Sequence, residues 1–430
     1  MKRIAKAVAI ISVAVALILC VTACGEEEAA PPVFSYQYGE KETVTPFWFN
    51  ENNGYTVVYN EVVVPIRYGK EETATGYLAY DPAAIISVRD YTLEKEYGEG
   101  DYTVDGNAIT VKTDGSMPYI REEWLDNKNI PEEFSDFVVE GGANYNDFWG
   151  GTNFGKHVIS EGSLTRTNHL CVTYAYKTDE NPLGFQTPEY ASEKFARFLG
   201  KLEKGEPVKI LVFGDSIFTG ASASSVVGFK PGLPAFFDLI KTELAARYYG
   251  GDESKITVVN PSVGGTVSSW GVEQTVSGAY DKSGYDLVMI GFGMNDGTLK
   301  VSPSEFTANI KAIVEGIREQ SPDADYLVVG SFTPNPKSEF FGIHADYIHP
   351  TAALSEELNG ETSGCAYLSM YEMTTALLEN KQKNNEKDGR YQYIDISSNY
   401  TNHPNDFTVR LYAGAILSTF LEFGSAARVA

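Results

Sequence analysis

From residue 209 onward the sequence repeats one pattern that leaves few folds open to it. A short apolar run is followed by a cluster of small and polar residues or by a stretch with helical spacing. The runs fall at 209–213, 256–259, 287–290, 326–329 and 391–396, and the helical stretches at 235–249, 304–320, 353–380 and 405–423. A run without polar alternation has no side to give to water, so such strands are covered on both faces, and parallel neighbours need crossover helices. The pattern predicts an α/β fold with a mostly parallel, doubly wound sheet in the segment 182–430. Chemistry in such sheets collects in the loops beyond the carboxyl ends of the strands.

The segment 33–181 reads differently. It is rich in Tyr, Val and Thr, with turn residues every ten or so positions, which predicts a β-sandwich domain of jelly-roll-like type. Strands are expected at 55–59, 62–68 and 83–88, and Asp105-Gly106-Asn107 is expected to join 102–104 to 108–111 as a tight hairpin. This domain has two readings, a packing module or a carbohydrate contact through exposed Trp48, Trp124 or Trp149.

Residues 1–23 have the make-up of an export leader: basic Lys2, Arg3 and Lys6, then an apolar stretch to Val21. Val21-Thr22-Ala23-Cys24 resembles the lipobox of bacterial lipoproteins. The resemblance implies lipidation of Cys24, a tether over 24–32, membrane attachment through the lipid and an extracytoplasmic location. A plain secretory peptide or an uncleaved anchor is the competing reading. The formal charge of −24 repels nucleic acid and argues against it as a partner. Cys20 and Cys24 belong to the leader and the lipid site, leaving Cys171 and Cys365 as lone buried thiols or as a pair. No Cys/His cluster suggests a metal, and no motif calls for a cofactor.

Small and polar residues gather after the apolar runs: Gly214-Asp215-Ser216 after the first, Asn260 to Gly265 after the second, Gly293-Met294-Asn295-Asp296 after the third and Asn402 to Asp406 after the fifth. Acyl transfer needs a hydroxyl on a tight turn, a histidine to take its proton and donors where the oxyanion develops. Ser216 offers the hydroxyl. Its own N–H, that of Gly265 and the Asn295 amide are the candidate oxyanion donors.

These four blocks, with His403-Pro404 in the last, resemble the SGNH (GDSL-type) hydrolase family over about 209–423. The resemblance implies Ser216 as nucleophile, Gly265 and Asn295 as oxyanion donors, His403 as general base, and Asp215 as a shaper of the nucleophile turn. Asp346-Tyr347-Ile348-His349 spells the Asp-x-x-His pattern of the family, but it follows the fourth run. His403 follows the fifth and opens the last helix, where the family places its base, and Asn402 to Phe407 resembles the tail of bacterial members that carry an added β-domain. His344 reads as a loop residue; His157 and His169 lie outside the catalytic segment. Where the family has Asp, three positions before the base, this chain has Tyr400. That departure implies a Ser–His dyad with a backbone carbonyl orienting the ring, as in family 2 carbohydrate esterases, with Asp395 and Asp406 as candidate substitutes and Asp406 also expected to cap the last helix.

A β-domain before an SGNH domain is similar to the architecture of carbohydrate esterases that remove acetyl groups. The resemblance implies an acylated carbohydrate as substrate and a serine acyl-enzyme without metal. A lipase or lysophospholipase would want a broad apolar face beside Ser216, and the nearby Phe218 and Phe229 are too few to require one. A third reading is a carbohydrate-binding lipoprotein on a retired hydrolase scaffold, against which the joint presence of Ser216, Gly265, Asn295 and His403 argues.

Overall fold

The computed structural model describes residues 44–136, 159–221, 223–338, 340–360, 363–385 and 389–423. The leader, Cys24, the tether, Trp149 and His157 lie outside the described residues. The leading region holds β1 (Glu51–Asn52), β2 (Tyr55–Val63), β3 (Ile66–Arg67), β4 (Thr73–Tyr77), β5 (Pro82–Asp90), β6 (Glu96–Tyr97), β7 (Tyr102–Asp105), β8 (Ala108–Lys112), β9 (Ile120–Arg121) and β10 (Leu170–Lys177). They form two sheets, β1-β2-β10-β5-β6 and β7-β8-β4-β3-β9. The first is antiparallel throughout, and in the second only β3 and β9 run parallel. The hairpin falls where expected: Asp105 pairs with Ala108, and Gly106 takes φ +54°, the left-handed conformation that glycine adopts without cost.

Strands β11 (Val208–Gly214), β12 (Ile256–Val259), β13 (Leu287–Gly291), β14 (Asp325–Gly330) and β15 (Cys365–Ser369) form the second half. All pair in parallel, in the order β12-β11-β13-β14-β15, the flavodoxin-like order in which the chain reverses beside its first strand. Alternate residues of one strand serve opposite faces. Ile210, Val212, Leu287 and Met289 enter one apolar cluster, and Leu211, Phe213, Val288 and Ile290 the other.

Two expectations are corrected. The fifth strand is Cys365–Ser369; the run at 391–396 lies largely in a 3₁₀ helix, Gly389–Asp395. The helix expected over 353–380 is two helices, Ile348–Leu358 and Met370–Gln382, with that strand between them. Gly360 and Gly364 carry the break. A side chain at 364 would put its Cβ 1.8 Å from the Lys194 carbonyl oxygen, so only glycine lets the chain enter the sheet there.

The described residues belong to one compact unit, and its core does not stop at the change of architecture. Val58, Val63 and Tyr174 share a cluster with Phe198, Met373 and Tyr412. This explains why β2 and β10 are buried on both sides: Arg410, from the helix Asp406–Ser418, donates to the carbonyls of Tyr59 and Asn60 at 2.8 and 2.9 Å. Deeper in, the Lys381 ammonium is fully buried against the carboxylates of Glu61 and Asp395. It also donates to the carbonyls of Val62 and Tyr77 at 3.2 and 2.9 Å. Tyr174 and the Ala79 N–H complete Glu61, and the Val64 N–H completes Asp395. Cys171 and Cys365 are buried, free thiols.

Candidate active site

Ser216 stands two residues beyond β11, on a turn built for close approach. The Asp215 N–H donates to the Gly291 carbonyl at 3.1 Å. A Cβ on Gly214 would fall 2.1 Å from that oxygen, and one on Gly291 1.8 Å from the Phe218 ring. Asp215 is buried and accepts from the Ile217 N–H at 3.0 Å and from the Met294 N–H. Its carboxyl therefore ties the nucleophile turn to the loop after β13 and does not point at substrate. Burial and then nearby Asp296 push its pKa up to about 7, against these two N–H donors.

The loop after β12 is laced to the same turn. Asn260 Nδ2 donates to the Phe218 carbonyl at 2.8 Å, Ser262 Oγ accepts from the Gly214 N–H at 3.0 Å, and the Val263 N–H reaches the Gly214 carbonyl at 3.2 Å. This lays Gly264 against the nucleophile, where an added Cβ would stand 3.5 Å from Ser216 Cβ. Gly265 follows at φ +77°. Asn295 is buried, and its Nδ2 donates one hydrogen to the Thr266 carbonyl at 2.8 Å, joining the second and third blocks. Asp296 accepts from the Ser268 N–H at 3.0 Å and holds the start of the helix Ser268–Ser277. The three blocks converge where the strand order reverses.

His403 Nε2 lies 3.0 Å from Ser216 Oγ, bridging 187 positions. Its loop is held by Asn399, whose Oδ1 accepts the backbone N–H groups of Thr401, Asn402 and His403 at 2.9, 2.9 and 3.0 Å. The helix after it is capped by Asn405, which accepts from the Thr408 N–H. The expected cap, Asp406, instead accepts from the Ser224 N–H at 3.0 Å.

The orienting partner of His403 corrects the dyad expectation. Among the described residues no backbone carbonyl holds the ring: Nδ1 lies 2.6 Å from Oε1 of Glu161, 242 positions away. Tyr400 is buried at φ +64°, its ring near Tyr393 and its carbonyl accepting from Asn335 at 2.8 Å. Asp395 is spent on Lys381 and Asp406 on Ser224, so neither serves His403. Glu161 is itself positioned from several sides. Asn399 Nδ2 donates to its Oε1 at 2.9 Å, and Arg166 donates to its Oε2 at 3.1 Å and its carbonyl at 2.9 Å. Gly162 follows because a Cβ there would fall 2.0 Å from the Asp136 carbonyl oxygen.

The charges agree with the distances. Burial works to raise the Glu161 carboxyl, but the His403 imidazole and then the Arg166 guanidinium outweigh it and hold the pKa at about 2. Burial works to lower His403, and the Glu161 carboxylate outweighs it, leaving the imidazole above its ordinary 6.5. A carboxylate at Nδ1 fixes the proton there and leaves Nε2 to accept from the serine hydroxyl.

The other histidines stand apart. His349 is exposed at the start of the helix Ile348–Leu358 and, among the described residues, makes no bond to Ser216. His344 is buried, bonded to the Met294 carbonyl at 2.8 Å, and pushed down to about 4 by burial. Phe218 is buried in the core. Among the described residues no group of His, Cys, Asp and Glu could hold a metal ion. Glu161 was the residue that motif reasoning missed. The signal was negative: with Tyr400 in the acid's usual place, a carboxylate could reach the base only from elsewhere in the chain.

No curated protein matches the sequence. The chain is similar at low identity to a solved two-domain esterase active on acetylated mannans: 18% identical, TM-score 0.38, over 54% of this chain and 55% of that one. It is also similar to an acetylxylan esterase from Geobacillus stearothermophilus, 16% identical with TM-score 0.36, over 52% of this chain and 98% of that one. The chain thus spans about half the length of the two-domain esterase. Residues 212–410, which carry Ser216, Gly265, Asn295 and His403, match the model of the GDSL-like lipase/acylhydrolase family. The likeness to that family lies in this segment, which is just under half of the chain.

Proposed function

We propose that the protein is a serine esterase that removes small acyl groups, acetyl foremost, from carbohydrate through an acyl-enzyme. The observation that carries this reading is the 3.0 Å between Ser216 Oγ and His403 Nε2. His403 takes the hydroxyl proton as Oγ attacks the ester carbonyl. The oxyanion develops where the N–H groups of Ser216 and Gly265 and the second amide hydrogen of Asn295 serve as donors. Collapse expels the sugar hydroxyl, which leaves with the proton held by His403. Water, deprotonated by the same ring, then attacks the acyl-enzyme, releasing the carboxylic acid and restoring Ser216.

A polar surround favours a hydrophilic alcohol over a lipid. Glu161, Arg166, Asn399 and Asn402 gather about the base, and Phe218 is inside the core. Gly264 keeps the approach to Oγ narrow but open. The lipobox resemblance of Val21 to Cys24 supports lipidation of Cys24 and action at the outer face of the cytoplasmic membrane, on polymers too large to import. A mass measurement on the protein from the membrane fraction, with and without Cys24→Ser, tests that part.

The enzymatic test is release of 4-nitrophenol from its acetate and octanoate esters, and of acetate from acetylated xylan, by the wild type beside Ser216→Ala and His403→Ala. Cleavage of acetate esters in preference to octanoate, lost in both variants, is expected. A preference for octanoate would sink the carbohydrate reading, and no turnover of any ester would sink the esterase reading.

A further inference from the structure

The acid of this site is not on the segment that carries the rest of it. We infer that Glu161, supplied from the leading β region just before β10, is the positioning residue that orients and charge-balances His403, with Asn399 as the clamp that holds the two in register. The leading region is thereby part of the esterase apparatus. The inference rests on the esterase reading of the same site.

Three independent observations converge on it. The Glu161 Oε1–His403 Nδ1 distance is 2.6 Å, on the edge of the ring opposite Ser216. Asn399 touches both partners through one side chain: Oδ1 accepts the His403 N–H at 3.0 Å while Nδ2 donates to Glu161 Oε1 at 2.9 Å. The segment bearing Glu161 is pinned at both ends. The Ser163 N–H donates to Asp136 at 3.1 Å, Thr165 Oγ1 donates to the Ser160 carbonyl at 3.0 Å, and the Ser160 N–H reaches the Asn399 carbonyl at 3.4 Å. Arg166 is 6% exposed, so its charge acts on Glu161 with little screening.

The groups facing the imidazole are Glu161 and Arg166 from the leading region and Asp215 from the nucleophile turn. Those facing Glu161 are His403, Arg166 and Asn399. Two near-isosteric changes should therefore move His403 in opposite directions. Glu161→Gln keeps an oxygen for Asn399 and Arg166 but removes the negative charge, so the imidazolium loses its partner. Asn399→Asp keeps the acceptor for three backbone N–H groups and adds a negative charge beside Glu161.

The experiment is the pH profile of kcat and kcat/KM on 4-nitrophenyl acetate for the wild type, Glu161→Gln, Glu161→Asp and Asn399→Asp. Alongside runs a nuclear magnetic resonance titration of the His403 ring in the same proteins, assigned by His403→Ala. Thermal melts check folding. For Glu161→Gln the expected result is a fall in kcat of roughly 10²- to 10⁴-fold with KM little changed, an acidic limb moved to lower pH, and loss of the downfield Nδ1 proton signal. Glu161→Asp should retain the fold, the sign of the charge and part of the rate. Asn399→Asp should move the limb to higher pH. A folded Glu161→Gln protein with the wild-type limb and Nδ1 signal would overturn the assignment. If Glu161→Gln does not fold, an unmoved limb and ring titration in Asn399→Asp would overturn it. An inactive wild type whose His403 titration still responds as described would remove the esterase reading and leave the positioning role standing.

Discussion

Asn399 and His403 are joined from behind the ring, the Asn399 Oδ1 accepting the His403 backbone N–H at 3.0 Å within a turn that also gathers the N–H groups of Thr401 and Asn402. One amide thus sets the backbone of the base and, through its nitrogen, the carboxylate that faces it. Removing it strips partners from three N–H groups at once. Asn399→Ala is expected to lower stability by about 2–3 kcal/mol and kcat by more than tenfold. Urea unfolding and steady-state kinetics measure the two effects, and a variant with wild-type kcat would show that the turn holds His403 without Asn399.

The pH dependence of activity follows from the raised imidazole. His403 must be neutral to take the serine proton, and the Glu161 carboxylate, outweighing burial, holds its pKa above the ordinary 6.5. Activity should therefore rise with pH through a value above 6.5, and kcat/KM against pH reads it directly. Stability moves in the opposite sense on this group, present below the ordinary imidazole pKa and lost as pH rises through the raised one.

Glu161 has the contrary linkage. Its pKa falls from 4.5 to about 2, because His403 and Arg166 outweigh burial, so its stabilising contribution is present above pH 4.5 and lost as pH falls toward 2. The stability gap between wild type and Glu161→Gln should narrow over that window in urea unfolding at successive pH values. A gap independent of pH would show that the pair is not ionised as described.

Gly264 and Gly291 separate access from packing. A Cβ at 264 stands 3.5 Å from Ser216 Cβ, an ordinary contact, whereas one at 291 falls inside the Phe218 ring at 1.8 Å. Gly264→Val should leave stability within ~1 kcal/mol while kcat/KM falls at least tenfold through blocked approach to Oγ. Gly291→Ala should cost about 3 kcal/mol through overpacking. Melting temperatures and kinetics on the two variants distinguish these effects.

Lys381 is a test of how the leading sheets are joined to the rest. Its ammonium is buried against Glu61 and Asp395, and Lys381→Met would strand both carboxylates. A loss of about 3–5 kcal/mol is expected, with partial recovery in Lys381→Met/Glu61→Gln. A loss under ~1 kcal/mol in chemical unfolding would mean that one carboxylate is already protonated.

Much of the site was legible because each motif is anchored to the end of its own strand or helix. Ser216 follows β11, Asn295 follows β13, and His403 precedes the last helix, so local sequence carried their identity and order. The fifth strand was misplaced for a local reason too. The apolar residues on either side of Gly360 and Gly364 read as one long helix, while the run at 391–396 is apolar because Tyr393 and Ile394, in a 3₁₀ helix, and Ile396, in the turn after it, are buried without joining the sheet.

By itself, then, the sequence determined the βα alternation, the β-rich character of the leading region, and the blocks that carry Ser216, Gly265, Asn295 and His403, since all of these are written in periodicity and in turn residues close along the chain. Only the tertiary structure decided which carboxylate faces His403. A carboxylate needs nothing but a backbone that passes within reach of Nδ1. Glu161 meets that condition from 242 positions away because β2 packs against the last helix through Arg410 and pairs with β10, whose preceding segment carries Glu161 to the site.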